Sequence, residues 1–113
     1  LINKKNAFRD IDKVSKVKTI RFDNYFLRNQ KIDLCKIDIQ GEELNVLKGM
    51  SGFLNKKYIR LIKMEITIRN DYKNNFAFLD IINYLKKYNY NLSTISKTKF
   101  SNNELMFFDA YFK

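Results

Sequence analysis

The sequence predicts one α/β domain on a largely parallel sheet, finished by an antiparallel hairpin. Three observations predict it. Runs of β type alternate with amphipathic helical segments, in the order β-α-β-α-β-β. The last two β runs flank Ser101-Asn102-Asn103, a polar turn suited to a hairpin. Finally, 113 residues with 45% hydrophobic and 30% charged side chains can build one core, not two. Strands joined through helices pair in parallel with right-handed crossovers.

Residues 1–13 are polar and weakly patterned, and read as a loop or a truncated end. The chain does not begin with Met and shows no signal-peptide core, so a fragment is expected, with 14–113 as its folded part. Val14-Ser15-Lys16-Val17-Lys18-Thr19-Ile20 alternates in part with period 2, which suits a short half-buried strand. Asp23 then reads as the N-cap of a short helix over Asn24–Arg28. Ile32–Ile39 is an Ile-rich β run that stops at Gln40-Gly41.

From Glu42 the period changes. Leu44, Leu47, Lys48 and Ser51 lie along one side of a helix with Val46, Met50 and Phe53 beside them, and Gly49 or Gly52 is placed to end it. Tyr58–Ile68 is a second β run, broken by Asn70–Asn75. The clearest helix follows, with Phe78, Ile81, Ile82, Leu85 and Tyr88 on one face. Tyr90–Lys97 and Glu104–Phe112 complete the pattern as the hairpin strands.

Composition narrows the chemistry. Histidine is absent, which excludes Ser-His-Asp, Cys-His and His-metal mechanisms, and no metal site is expected. The single cysteine, Cys35, excludes an intrachain disulfide and has the setting of a core thiol. No apolar run approaches the roughly 20 residues that span a bilayer, so no membrane span is expected and a cytoplasmic setting is the default. Lys and Arg total 22 against 12 Asp and Glu, a net charge of +10. The lysines are dispersed, no RNA-binding signature occurs and no helix has a dense basic face, so nucleic acid is not the expected partner.

Ligands of open α/β sheets bind beyond the carboxyl ends of the parallel strands. Two acids fall there. Asp38 closes the first run before Gln40-Gly41, and Glu65 lies near the end of the second among apolar neighbours. The plain structural alternatives are a turn acid bonding the next helix's amides for Asp38, and a solvent-facing edge residue for Glu65.

The block Lys36-Ile37-Asp38-Ile39-Gln40-Gly41-Glu42-Glu43-Leu44-Asn45-Val46-Leu47-Lys48-Gly49 resembles the hallmark of FkbM-type methyltransferases, a strand K-I-D-V-E-G running into A-E-x-x-V-L-x-G. Lys18–Phe26 resembles the family's T-L-D-D-Y/F-L segment, and Leu61–Ile66 its next strand with a terminal glutamate. The resemblance covers about residues 14–112. Gln40 stands where the family carries Glu, Glu42 where Ala is common and Phe22 where Leu is common. With three glycines and no G-x-G, the chain lacks the family's cofactor loop.

The resemblance therefore implies the C-terminal half of a class I, Rossmann-like methyltransferase sheet, with the missing N-terminal half as its partner. It implies that the last strand inserts antiparallel between 58–68 and 90–97. It also implies O-methyl transfer from S-adenosylmethionine to a hydroxyl of a small molecule or sugar. Asp38 and Glu65, close together at the carboxyl rim, become the candidate proton acceptors, since Gln40 cannot take a proton. Gln40 and Gly41 become substrate-positioning residues, and the cofactor contacts fall outside the chain, leaving it inactive alone. Two other readings stand beside this one: an inactive remnant, and a basic module binding RNA or anionic surfaces.

Overall fold

A computed structural model describes residues 14–26, 29–68 and 78–113. Its elements are α1 (Phe22–Tyr25), β1 (Ile32–Ile37), α2 (Glu43–Gly49), α3 (Ser51–Asn55), β2 (Ile59–Thr67), α4 (Phe78–Lys86), β3 (Leu92–Ser101) and β4 (Glu104–Phe112). They form a mixed α/β unit with a four-stranded sheet of order β1-β2-β4-β3. β1 and β2 pair in parallel, with Ile32 opposite Ile59 and Ile37 opposite Met64. β4 lies antiparallel between β2 and β3, as the expected insertion of the last strand requires.

Alternation decides which face is covered. Ile62, Met64 and Ile66 of β2, Phe108, Ala110 and Phe112 of β4, and Ile37 of β1 are buried on one face. Leu44 and Leu47 of α2, Phe53 and Leu54 of α3, and Ile81 and Leu85 of α4 join them in one core. Packing an amphipathic stripe, not intrinsic propensity, holds helices this short. The opposite face carries Leu61, Lys63, Glu65 and Thr67 of β2 opposite Tyr111, Asp109 and Phe107 of β4. None of these is as buried as the core except Asp109, and no described helix belongs to that side.

Several expectations are corrected. Residues 14–20 form no strand: Val14 is 84% and Val17 82% exposed, because alternation without a partner strand buries nothing. Asp23 does not cap its own helix. It lies inside α1, and its carboxylate accepts hydrogen bonds from the Gly52 and Phe53 amides at 2.9 and 3.2 Å, capping α3 thirty residues away. The helix expected from Glu42 is two helices broken at Met50, whose backbone at φ −115° and ψ 21° leaves the helical path.

Neither Gly49 nor Gly52 supplies a left-handed stop; Lys57 at φ 54° does so after α3. β1 ends at Ile37 and not Ile39, since Gln40 and Gly41 adopt φ 48° and 104°. Tyr90 precedes β3. It is buried, and its hydroxyl donates to the Ile59 carbonyl at 2.6 Å. The 1–13 loop, the end of the helix at 27–28 and the break at 70–75 lie outside the described residues. Among the described residues no helix is long and apolar enough to cross a membrane.

Candidate functional site at the carboxyl ends of β1 and β2

The strand register brings the two predicted acids to one level of the sheet. Ile37 and Met64 are the last paired positions of the parallel ladder, and Asp38 and Glu65 are the residues that follow them. Asp38 is exposed, and the Lys36 ammonium two residues back on the same face donates to it at 2.9 Å. Glu65 is half-buried on β2, directly opposite Asp109 on β4. Opposed residues of an antiparallel pair point to one face with Cβ atoms roughly 5 Å apart. A row of carboxylates thus crosses the rim: Asp38, Glu65, Asp109.

Asp109 escaped the sequence reading, although Phe108-Asp109-Ala110 carries the signal that singled out Glu65, an acid within an apolar β run. Its side chain is only 7% exposed, and the Lys63 ammonium lies 2.9 Å from it with 18% exposure. Lys97 stands 4.0 Å from the same carboxylate oxygen. It reaches there from an irregularity in β3, where the register advances from Ser96 opposite Asp109 to Lys99 opposite Phe107. Lys97 itself has φ 51°, and such bulges re-aim side chains. The hydrogen bond to Asp109 holds the Lys63 ammonium above the usual lysine range, with burial opposing in part.

The turn after β1 is built from the inside. Glu43, in the first turn of α2, is buried, and its carboxylate accepts the Gly41 amide at 2.9 and 3.1 Å. A Gly at φ 104° permits the sharp reversal, and the carboxylate satisfies the amide that the reversal turns inward. Gly41 therefore offers a bare backbone but no amide to a ligand. Gln40 is exposed at φ 48° at the tip of the turn. The signal in the sequence for this role of Glu43 is its spacing two residues after the glycine. Glu42 is exposed and accepts from the Asn45 side-chain amide at 2.6 Å.

Other candidate chemistry is weaker. Burial pushes the Cys35 thiol up, away from a reactive thiolate. Among the described residues no group of three His, Cys, Asp or Glu is arranged to hold a metal ion. A groove of about 930 Å³ runs between α1 and α2, lined by Arg21, Phe22, Tyr25, Phe26, Val46 and Lys48 among others. It includes none of Asp38, Gln40, Gly41 or Glu65. The groove is wide and mostly apolar, and the acid that lines it, Glu42, is exposed and already bonded to Asn45, so the carboxylate row is the better place for proton chemistry.

Comparison with known proteins agrees with the turn and its surroundings. No curated protein and no solved structure matches the chain. The family model of the methyltransferase FkbM domain matches residues 2–92, which include β1, the Gln40-Gly41 turn, α2 and β2 with both rim acids. By that match, the chain belongs to the FkbM methyltransferase domain family.

Proposed function

We propose that these residues form the substrate-side rim of an S-adenosylmethionine-dependent O-methyltransferase whose acceptor is a hydroxyl of a small molecule or sugar. The observation that carries this reading is the placement of Asp38 just past the carboxyl end of β1, separated from the Gln40-Gly41 turn by Ile39 alone and level with Glu65. A carboxylate there can accept a hydrogen bond from a hydroxyl and take its proton, a role open to it in a chain without histidine. Asp38 is the first candidate and Glu65 the second. Gln40 and the side-chain-free surface of Gly41 would position the acceptor.

The described residues do not fit a cradle for S-adenosylmethionine. Such a cradle needs backbone amides presented by closely spaced glycines, whereas the Gly41 amide is taken by Glu43 and the sequence has no G-x-G. In this reading the cofactor contacts come from a glycine-rich half outside the 113 residues. Among the described residues, the sheet face without a helix and the edge position of β1 support that division.

Calorimetry tests it first: the chain alone should show no S-adenosylmethionine binding at millimolar ligand. With the chain joined to a glycine-rich half, Asp38→Asn should lower turnover more than it weakens cofactor affinity. Measurable binding by the short chain refutes the division of labour. Full activity of Asp38→Asn removes Asp38 and leaves Glu65.

A further inference from the structure

Two carboxylates directly opposite each other on adjacent strands repel, more so when one is withdrawn from water. Glu65 and Asp109 are such a pair, and Asp109 is buried. Yet the carboxylate of Asp109 already has its cation. Lys63, two residues before Glu65 on the same face of β2, reaches diagonally to it at 2.9 Å, with Lys97 of β3 behind at 4.0 Å. Glu65 itself makes no ion pair among the described residues.

We propose that Lys63 is a positioning residue for the rim: by clamping Asp109 across the sheet it offsets the buried charge that faces Glu65 and leaves the Glu65 carboxylate available to a substrate hydroxyl. This rests on the reading of Glu65 as a candidate proton acceptor. Near this pair the described charged groups are Lys36 and Asp38 from β1 and its end, Lys63 from β2, Lys97 and Lys99 from β3, and Asp109 with the Tyr111 phenol from β4, while Arg60 and Lys113 border the same face beyond Tyr111. Lys36 is committed to Asp38 at 2.9 Å and Lys97 stands off at 4.0 Å, so Lys63 at 2.9 Å makes the close contact that balances the inner pair. The bulge at Lys97 has the same sense, since it turns a further cation toward Asp109 and not toward the open edge.

The test is an NMR titration of the Glu65 side-chain carboxyl in the full chain, with Lys63→Met, Lys63→Arg and Asp109→Asn. Loss of the cation should raise the Glu65 midpoint by about one pH unit and couple it to that of Asp109. Lys63→Arg, which keeps the charge, should return the midpoint close to the original. Asp109→Asn removes the repelling charge and releases Lys63 toward Glu65, so the midpoint should fall.

An unmoved Glu65 in folded Lys63→Met overturns the proposal. So does a Lys63→Arg midpoint equal to that of Lys63→Met. Should Lys63→Met lose its dispersed amide spectrum, the near-isosteric Asp109→Asn decides, and a midpoint that fails to fall overturns the proposal. The titration needs no turnover. Midpoints that move as expected, with a Glu65→Gln enzyme that remains fully active in the longer protein, would uphold the charge balance and dismiss Glu65 as acceptor.

Discussion

Removing the Asp23 carboxylate should destabilise the chain out of proportion to its place on a four-residue helix. Both oxygens are used: one accepts the Gly52 amide at 2.9 Å and the other the Phe53 amide at 3.2 Å. These are orphan donors of the first turn of α3, and nothing else in the cap position serves them. The side chain is 20% exposed, so water can replace part of the loss in Asp23→Ala. Loss of an N-cap costs about 1 kcal/mol, and a charged acceptor with two donors adds to that, giving about 1.5 kcal/mol.

For a domain of this size the unfolding entropy near the midpoint is about 0.24 kcal/mol/K, so the melting temperature should fall by about 6 °C. Circular-dichroism melts and urea titrations of Asp23→Ala, Asp23→Asn and the parent chain measure it. Asn retains one acceptor oxygen and should recover about half the loss. A melt of Asp23→Ala within about 1 °C of the parent would show that the amides find equivalent partners elsewhere. Asp23→Asn as damaging as Asp23→Ala would show that charge, not the hydrogen bonds, is the cause. Either result refutes the reasoning.

Three further outcomes are expected. Gly41→Ala should cost about 1–3 kcal/mol in chemical denaturation, because an L residue is strained at φ 104°; a neutral Gly41→Ala would mean that the turn relaxes without loss. Burial, followed by the hydrogen bond with Tyr88, pushes the Tyr84 phenol up to about 12 from 10.0. The folded state holds that proton more tightly, so this contribution is complete below pH 10 and is lost as pH climbs toward 12. Burial pushes the Tyr90 phenol up as well. An ultraviolet titration should therefore show late-ionising phenols of which Tyr84→Phe removes one and leaves Tyr90, and a late phase unchanged in Tyr84→Phe would contradict the assignment. Lastly, β1 is the edge strand among the described residues with Leu34 53% exposed, so the chain should self-associate with rising concentration and Leu34→Lys should reduce this. A monomer unaffected by dilution, with slow amide exchange along β1, would count against an exposed edge.

Local pattern was enough to determine the main elements. The Ile-rich runs of β1 and β2, the helical spacing of Phe78, Ile81, Ile82 and Leu85, and the polar tip at Asn102-Asn103 each state a conformation within a few residues. The block around Lys36–Gly49 also located the rim, because a strand that ends on an acid and a Gly-containing turn is a local feature of the chain. Partners distant in sequence were beyond such reading. Asp23 was legible as a cap but not as the cap of α3, since that pairing depends on how α1 packs against α3.

Val14–Ile20 shows the reverse case: alternation is a necessary mark of a half-buried strand, but a strand forms only where a partner edge is available, and here all seven residues are exposed. The carboxylate row needed the sheet itself. Asp109 meets Lys63 and faces Glu65 only because β4 enters between β2 and β3 in one particular register. A shift of one residue would turn Asp109 into the apolar core and Ala110 out of it. Sequence therefore supplied the acids and their local turns. Tertiary register decided which of them share a face, and with which cations.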